Sequence, residues 1–294
     1  MRILQQLILG LLLGGLYGLA AAGLSLIFGV LKVLNVAHGE LIMLGGYAAF
    51  WLSAGLGLHP FLALLAVIPV TAVLGLALYA GLFGFVVRFD EETRIKNSLL
   101  VGFGLALSLH ALAVRLWTAD ERAIPTSYEG APILVGGLVI PPTRLASVVI
   151  ALALIGLTHL FLVGTRWGHA VRAAAEDWES ACLLGIDVRR AYLLAFALGT
   201  ALAGAAGCLV AMGYSISPAI GFEWTFKALI VVVLAGLGSL FGTFVGGLVL
   251  GVAEAASALT FGGPYREVVG LLLFFCVLIA RPQGIFNRGQ AFHS

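Results

Sequence analysis

At 294 residues, 61% hydrophobic and 10% charged, with a mean hydropathy of +1.10, the chain lacks the polar surface that a water-soluble fold needs; soluble domains carry about 25% charged residues. The formal net charge of +2 is not gathered into any basic run, which leaves no footprint for phosphate neutralisation and excludes nucleic acid as a partner. Cys182, Cys208 and Cys276 stand singly in or beside apolar runs, without C-x-x-C spacing, and read as small buried hydrophobes rather than metal ligands or disulfides.

Arg2 gives a weak positive start, but the apolar run 7–31 is too long for the core of a secretory signal and is broken by glycines, so a retained first span is expected. About 20 apolar residues cross a bilayer as a helix. Region 4–54 holds two such runs, split by the polar segment 32–40. Spans follow at 61–87, 98–117, 145–163 and 191–212. Region 226–280 holds one long glycine-rich run and a short final one, 268–280. The pattern predicts a single domain, 1–294. It is an all-α, polytopic transmembrane helical bundle of about eight spans, with broken or re-entrant helices in the two end regions.

Lysine and arginine set the orientation. Arg88, Arg94 and Lys96 occupy one loop and Arg166, Arg172, Arg189 and Arg190 another, whereas the loop 118–142 carries only Arg122 and the loop 213–224 none. The first two therefore face the cytoplasm, and the loops with Tyr128 and Ser217 face outward. A cytoplasmic tail with Arg281 and Arg288 requires an odd number of crossings over 226–280, which places a broken or re-entrant helix in 226–258.

Segment 166–190 is a polar island between two spans. It holds Arg166, His169, Arg172, Glu176, Asp177, Glu179, Asp187, Arg189 and Arg190. Stretch 168–185 is long enough for a short helix on the membrane surface that a soluble partner could grip, with Arg172, Glu176, Asp177 and Glu179 at the rim and Ala173, Trp178 and Leu183 as apolar contact. The bland alternative is a solvated loop.

Asn35, His38 and Glu40 lie between two apolar runs. Ionisable groups at membrane depth are costly and face a cavity, a partner or water, and non-helical backbone there must line a cavity or be buried in protein. An ordinary interfacial turn, with Glu40 favoured by a helix N-terminus, is the alternative. Gly238, Gly242 and Gly246 recur at every fourth residue, followed by Gly247 and Gly251, and Gly10 and Gly14 open a similar face in the first span. Such faces admit a neighbouring backbone, as bundle packing or as part of a pathway.

Absences narrow the chemistry. Lys32, Lys96 and Lys227 each lack the preceding glycines of G-x-x-x-x-G-K-[ST], so the chain carries no P-loop ATPase motif of its own. H-E-x-x-H and G-x-S-x-G do not occur, and Gly236, Gly238 and Gly242 have the wrong spacing for a dinucleotide loop. His110, His159 and Glu254 are isolated along the sequence and read as single bundle-facing polar groups. No cofactor or metal is implied.

The run Asn35-Val36-Ala37-His38-Gly39-Glu40, with Met43 and Gly45 to Tyr47, resembles the N-terminal signature of branched-chain amino acid ABC importer permeases. The island matches as well, through Gly168, Arg172-Ala173, Asp177, Ala181 and Leu184-Gly185-Ile186-Asp187, followed by Ala203-Gly204 and Gly207. So does Gly236-Leu237-Gly238-Ser239 with Gly242 and Gly246. The tail Arg281-Pro282-Gln283-Gly284-Ile285-Phe286 is similar to the family's closing motif, with Ile285 and Asn287 where leucine and glycine are commoner. The chain resembles the shorter of the two permeases in such importers.

The resemblance implies a multi-pass permease of a bacterial cytoplasmic (inner) membrane, embedded in lipid. Its implied partners are a second related permease, two cytoplasmic ATPase subunits and an extracytoplasmic solute-binding protein. Gly168, Arg172, Glu176, Asp177, Trp178, Leu184 and Gly185 are then the ATPase coupling residues. Asn35, His38, Glu40, Gly238, Ser239 and Gly242 are the pathway candidates, and their two segments are expected to approach one another. The family also includes carriers of urea and short amides. A secondary transporter coupling an ion gradient through His38, Glu40 or Glu254 is the alternative from another class.

Overall fold

The computed structural model describes residues 2–124, 131–236, 238–281 and 284–285. Tyr128, Leu237, Pro282, Gln283, Phe286, Asn287 and Arg288 fall outside them. The first helix, α1 (Arg2–Leu31), is followed by a non-helical segment and α2 (His38–Leu56). Next, α3 (Pro60–Leu78) runs through a π turn (Tyr79–Phe83) into α4 (Gly84–Val86), and α5 (Glu91–Trp117) follows. A small antiparallel hairpin, β1 (Ile133–Val135) with β2 (Leu138–Ile140), precedes α6 (Pro142–Gly164). The island then forms α7 (Arg166–Glu176) and α8 (Trp178–Leu183), and the chain continues as α9 (Val188–Ala211), α10 (Ile220–Ala235), α11 (Leu240–Thr260) and α12 (Arg266–Ala280).

Seven helices among the described residues are long and apolar enough to cross a membrane: α1, α2, the α3–α4 rod, α5, α6, α9 and α11. At a rise of ~1.5 Å per residue, α10 and α12 reach only about 24 and 23 Å, short of a hydrocarbon core of ~30 Å. The expected break within 226–258 falls between α10 and α11, where Gly236 and Gly238 adopt φ of 91° and 92°. One expectation changes at the basic loop after α4. Residues 91–97 are the first turns of α5, started by Asp90, whose carboxylate accepts from the Thr93 amide at 3.1 Å. Arg94 is correspondingly buried, not solvated.

The centre belongs to α9 and α1. Their membrane-length windows are 83% and 78% buried, against 17% for α5, whose Leu100, Phe103 and Leu107 point outward into lipid. Glycine sets this arrangement. A methyl on Gly10 would stand 2.6 Å from the Gly251 carbonyl oxygen, and one on Gly14 2.6 Å from that of Gly247, so α1 and α11 lie backbone on backbone. The expected glycine faces of α1 and α11 thus meet each other. A second such contact joins α2 to α9, where a methyl on Gly45 would lie 2.7 Å from the Gly204 Cα.

The loops sort into two ends. Lys32, Arg88, Asp90, Arg94, Glu176 and Asp177 line one cleft, so the two arginine-rich loops share an end. Glu121, Tyr214, Ser215 and Ser217 line a cavity at the other, where Arg122 and Ile216 form an isolated bridge. By the lysine and arginine bias, the first end is cytoplasmic. The Ile285 amide donates to Leu234 O at 2.8 Å, which ties the described part of the tail to the end of α10. Cys208 is buried as expected, whereas Cys182 and Cys276 are exposed, and all three are free.

Candidate functional site

The island forms two helices where one was expected, because its sequence supplies three successive N-caps. Thr165 Oγ1 accepts from the Gly168 amide at 3.0 Å and starts α7. Asp177 Oδ1 accepts from the Glu179 and Ser180 amides at 2.9 and 3.2 Å and starts α8. Asp187 Oδ1 accepts from the Arg190 amide at 3.1 Å and starts α9. Each cap satisfies amide groups that a helix start leaves without partners. The hydrogen bonds from Ser180, side chain and backbone, hold the Asp177 carboxyl below its ordinary 3.8, with a further one from Glu179.

Gly185 ends α8. It sits at φ 80°, its amide bonds to Cys182 O, and the Ile186 amide reaches back to Ala181 O, the double bond of a Schellman turn. Inward, Gly168, Val171, Ala174 and Ala181 are buried. Gly168 is fixed by contact, since a methyl there would stand 2.5 Å from the Leu162 Cα at the end of α6. Outward, Trp178, Leu183 and Leu184 are 46%, 89% and 80% exposed, with Arg172, Glu176 and Glu179 also exposed around them. The result is an apolar plate with a charged rim, resting on the inner ends of α1, α6 and α9.

The break after α1 is built from side chains that replace helical hydrogen bonds. Lys32 takes φ 54°, and Arg94 Nη1 donates to Leu31 O at 3.2 Å, capping the helix C-terminus with a cation. Ser98 Oγ receives the Leu34 amide at 3.0 Å, and Asn35 Oδ1 receives that of Ala37 at 3.1 Å. Thr225 of α10 accepts from the Gly39 amide at 2.9 Å and donates at 3.1 Å toward Val36 O. His38 Nε2 lies 2.8 Å from Ala20 O. Asn35, His38 and Glu40 are 1%, 0% and 2% exposed, so the segment is buried in protein at depth and is not an interfacial turn. Among the described residues Asn35 Nδ2, His38 Nδ1 and Glu40 Oε2 have no hydrogen-bond partner, an unusual concentration of unsatisfied polar atoms.

The second break, between α10 and α11, is pinned by Ser239, whose Oγ accepts the Gly242 amide at 3.0 Å, and by the Gly238 amide, 3.3 Å from Ser25 Oγ. Gly238 and Ser239 share a cavity of about 420 Å³ with Ser25, Gly29, His159 and Arg172, which places this break beside the island helix α7. The two pathway segments each lean on α1. A methyl on Gly23 would lie 3.0 Å from the His38 ring, and one on Gly29 3.1 Å from the Gly238 Cα. Among the described residues no hydrogen bond joins 35–40 to 238–246. Gly246 faces α10, where a methyl would meet Ala235 Cβ at 3.3 Å.

Sequence reasoning missed one cluster. Glu254 of α11, taken as an isolated polar group, is paired with Lys227 of α10 at 2.5 Å and accepts from Tyr17 of α1 at 3.0 Å. The available signal was two lone, opposite charges in neighbouring apolar runs, which the membrane forces to find each other.

The model of the branched-chain amino acid transport system permease component matches residues 6–278. The chain belongs to this permease family. It is 37% identical to the high-affinity branched-chain amino acid transport system permease protein BraD of Pseudomonas aeruginosa, over 98% of this chain and 96% of that one. It is 33% identical to LivH of Salmonella typhimurium and 32% to LivH of Escherichia coli, both likewise named as high-affinity branched-chain amino acid transport permeases, with 98% of this chain and 96% of each relative covered. As a permease component the chain is a multi-pass membrane subunit that works with other parts of a transport system, and its sequence holds no P-loop.

Proposed function

We propose that this permease is the shorter membrane-spanning subunit of an ATP-driven importer in a bacterial inner membrane, and that it translocates branched-chain or other small hydrophobic amino acids. The observation that carries the reading is the family match along nearly the whole chain, with relatives named for branched-chain amino acids rather than for urea or amides. A second, related permease completes the conduit, two cytoplasmic ATPases drive it, and an extracytoplasmic binding protein delivers substrate.

In this reading the ATPases grip the plate on α7 and α8. Gly168 seats α7 against α6, and Gly185 closes α8 so that Trp178 and Leu184 stay presented. Arg172, Glu176 and Asp177 supply the polar rim. Movement of the plate is passed to the ends of α6 and α9 and, through the shared cavity, to the break at Gly238, Ser239 and Gly242. Asn35, His38 and Glu40 serve the pathway as hydrogen-bonding groups without net positive charge, suited to a substrate that must be released.

Transport in proteoliposomes tests the proposal. With all partners present and ATP inside the compartment that the ATPases face, leucine accumulates against its gradient, and omission of ATP abolishes accumulation. Concentrative uptake by this chain alone, driven by a proton or sodium gradient, would overturn it.

A further inference from the structure

Lys227 and Glu254 bring opposite charges from two helices into the buried body of the protein, where they are 5% and 1% exposed. A buried pair adds little stability over well-packed apolar residues of similar volume, so holding α10 to α11 does not by itself explain it. Intramembrane ion pairs instead mark routes for substrates and ions. The pair lies on the wall of a cavity of about 680 Å³ that opens at the outer end, past Ser215 and Ser217. That volume falls within the ~300–1,000 Å³ typical of small-molecule sites.

The rest of the wall suits one kind of molecule. Helix α10 begins at the cavity, with Ala219 and Ile220 on its wall, so its positive end lies beside the space where Lys227 also lies. A half-helix start of this kind receives carboxylates in other transporters. Opposite in charge, Glu223 and Glu254 line the same space, as do the apolar Leu13 and Trp224. Tyr17 holds one Glu254 oxygen at 3.0 Å, and Arg266 approaches that oxygen at 3.9 Å. Arg266 Nε has no hydrogen-bond partner among the described residues.

We propose that this cluster is the entry port for the substrate's zwitterionic head. The Lys227–Glu254 pair opens, Lys227 and the α10 start take the carboxylate, Glu254 takes the ammonium, and the aliphatic chain lies against Trp224 and Leu13. The exchange leaves every buried charge paired, because the zwitterion carries one charge of each sign. A molecule with only one of those charges breaks the Lys227–Glu254 pair without replacing both of its contacts, leaving Lys227 bare or Glu254 with only the longer 3.9 Å approach of Arg266, and is disfavoured. The inference rests on the amino acid reading above and adds which part of the substrate this chain recognises, and where.

Two measurements on the complete importer test it. The first compares the single Lys227→Met with the double Lys227→Met/Glu254→Met. The single variant loses thermal stability, and the double recovers it, assembles with its partners and hydrolyses ATP, yet imports leucine at least tenfold more slowly. A double variant with uptake within twofold of the parent would reduce the pair to a staple and overturn the port.

The second measurement keeps the pair intact and does not depend on how the double variant folds. Ala219→Cys, in a chain with Cys182, Cys208 and Cys276 changed to serine or alanine, is labelled by a charged thiol reagent from outside. Millimolar leucine slows labelling at least threefold. Neither 4-methylpentanoate, which lacks the ammonium, nor 3-methylbutylamine, which lacks the carboxylate, does so. Equal protection by all three compounds, or by none, would overturn the port. Failure of the parent importer to take up leucine at all would instead count against the proposed function.

Discussion

Removing Leu183 from the plate separates a surface that holds a partner from one that merely sits at the membrane. Leu183 is 89% exposed, so almost none of its side chain contributes to the fold of this chain. Leu183→Ala deletes three carbons, each worth ~0.8 kcal/mol when buried, or about 2.4 kcal/mol if an ATPase groove covers them fully. At ~1.4 kcal/mol per tenfold, that is a loss of about 50-fold in affinity for the ATPase subunit. The stability of the chain itself should move by less than ~0.5 kcal/mol, as for surface substitutions generally. Titration of labelled ATPase into nanodiscs holding the permease pair measures the first, and a thermal melt of the same nanodiscs the second. An ATPase affinity within threefold of the parent, with the melt unchanged, would refute the docking argument and leave Leu183 to the lipid surface.

Three further outcomes follow from the glycines and the caps. Gly14→Ala places a methyl 2.6 Å from Gly247 O and should cost about 1–3 kcal/mol by overpacking, whereas Gly156→Ala, in helix α6 with nothing within 4 Å, should be neutral or stabilising; the melting temperatures of the two variants decide. Gly185→Ala forces an alanine to φ 80° and should cost about 1–2 kcal/mol, read as faster amide exchange at Gly185 and Ile186 with the membrane helices unchanged. Because the Asp177 carboxyl is held below its ordinary 3.8 when folded, its cap contributes fully well above that pH and is lost as pH falls through the lowered value. Protection of the Glu179 and Ser180 amides at pH 5.5, after correction for intrinsic exchange, should therefore match that at pH 7, and a loss of protection already at pH 5.5 would contradict the cap.

Much of this was legible because polarity is conspicuous in an apolar chain. Asn35, His38 and Glu40 announced a break at depth, the arginines of 166–190 announced a platform, and the parity of the basic loops announced a broken helix within 226–258. Positional details were harder. Asp177 was read as a rim charge although its spacing to Ser180 is that of a cap, and the rim reading hid the division of α7 from α8. Arg94 looked like a solvated loop residue because nothing local shows that Leu31 O and Phe89 O lie within its reach. The Lys227–Glu254 pair depends on α10 and α11 folding back on each other about the Gly236–Ser239 break, a tertiary fact that no window of sequence contains. Glycine spacing told which helix faces are bare but not that those of α1 and α11 face one another.

The bare seam between α1 and α11 has a mechanical consequence. Side chains that interdigitate can change rotamer and let two helices slip, but Gly10, Gly14, Gly247 and Gly251 offer no torsion to relax. The two helices therefore travel as one spar. That spar carries Ala20 beneath His38 at one station and Ser25 beside Gly238 at another, so both breaks are seated on the same paired element.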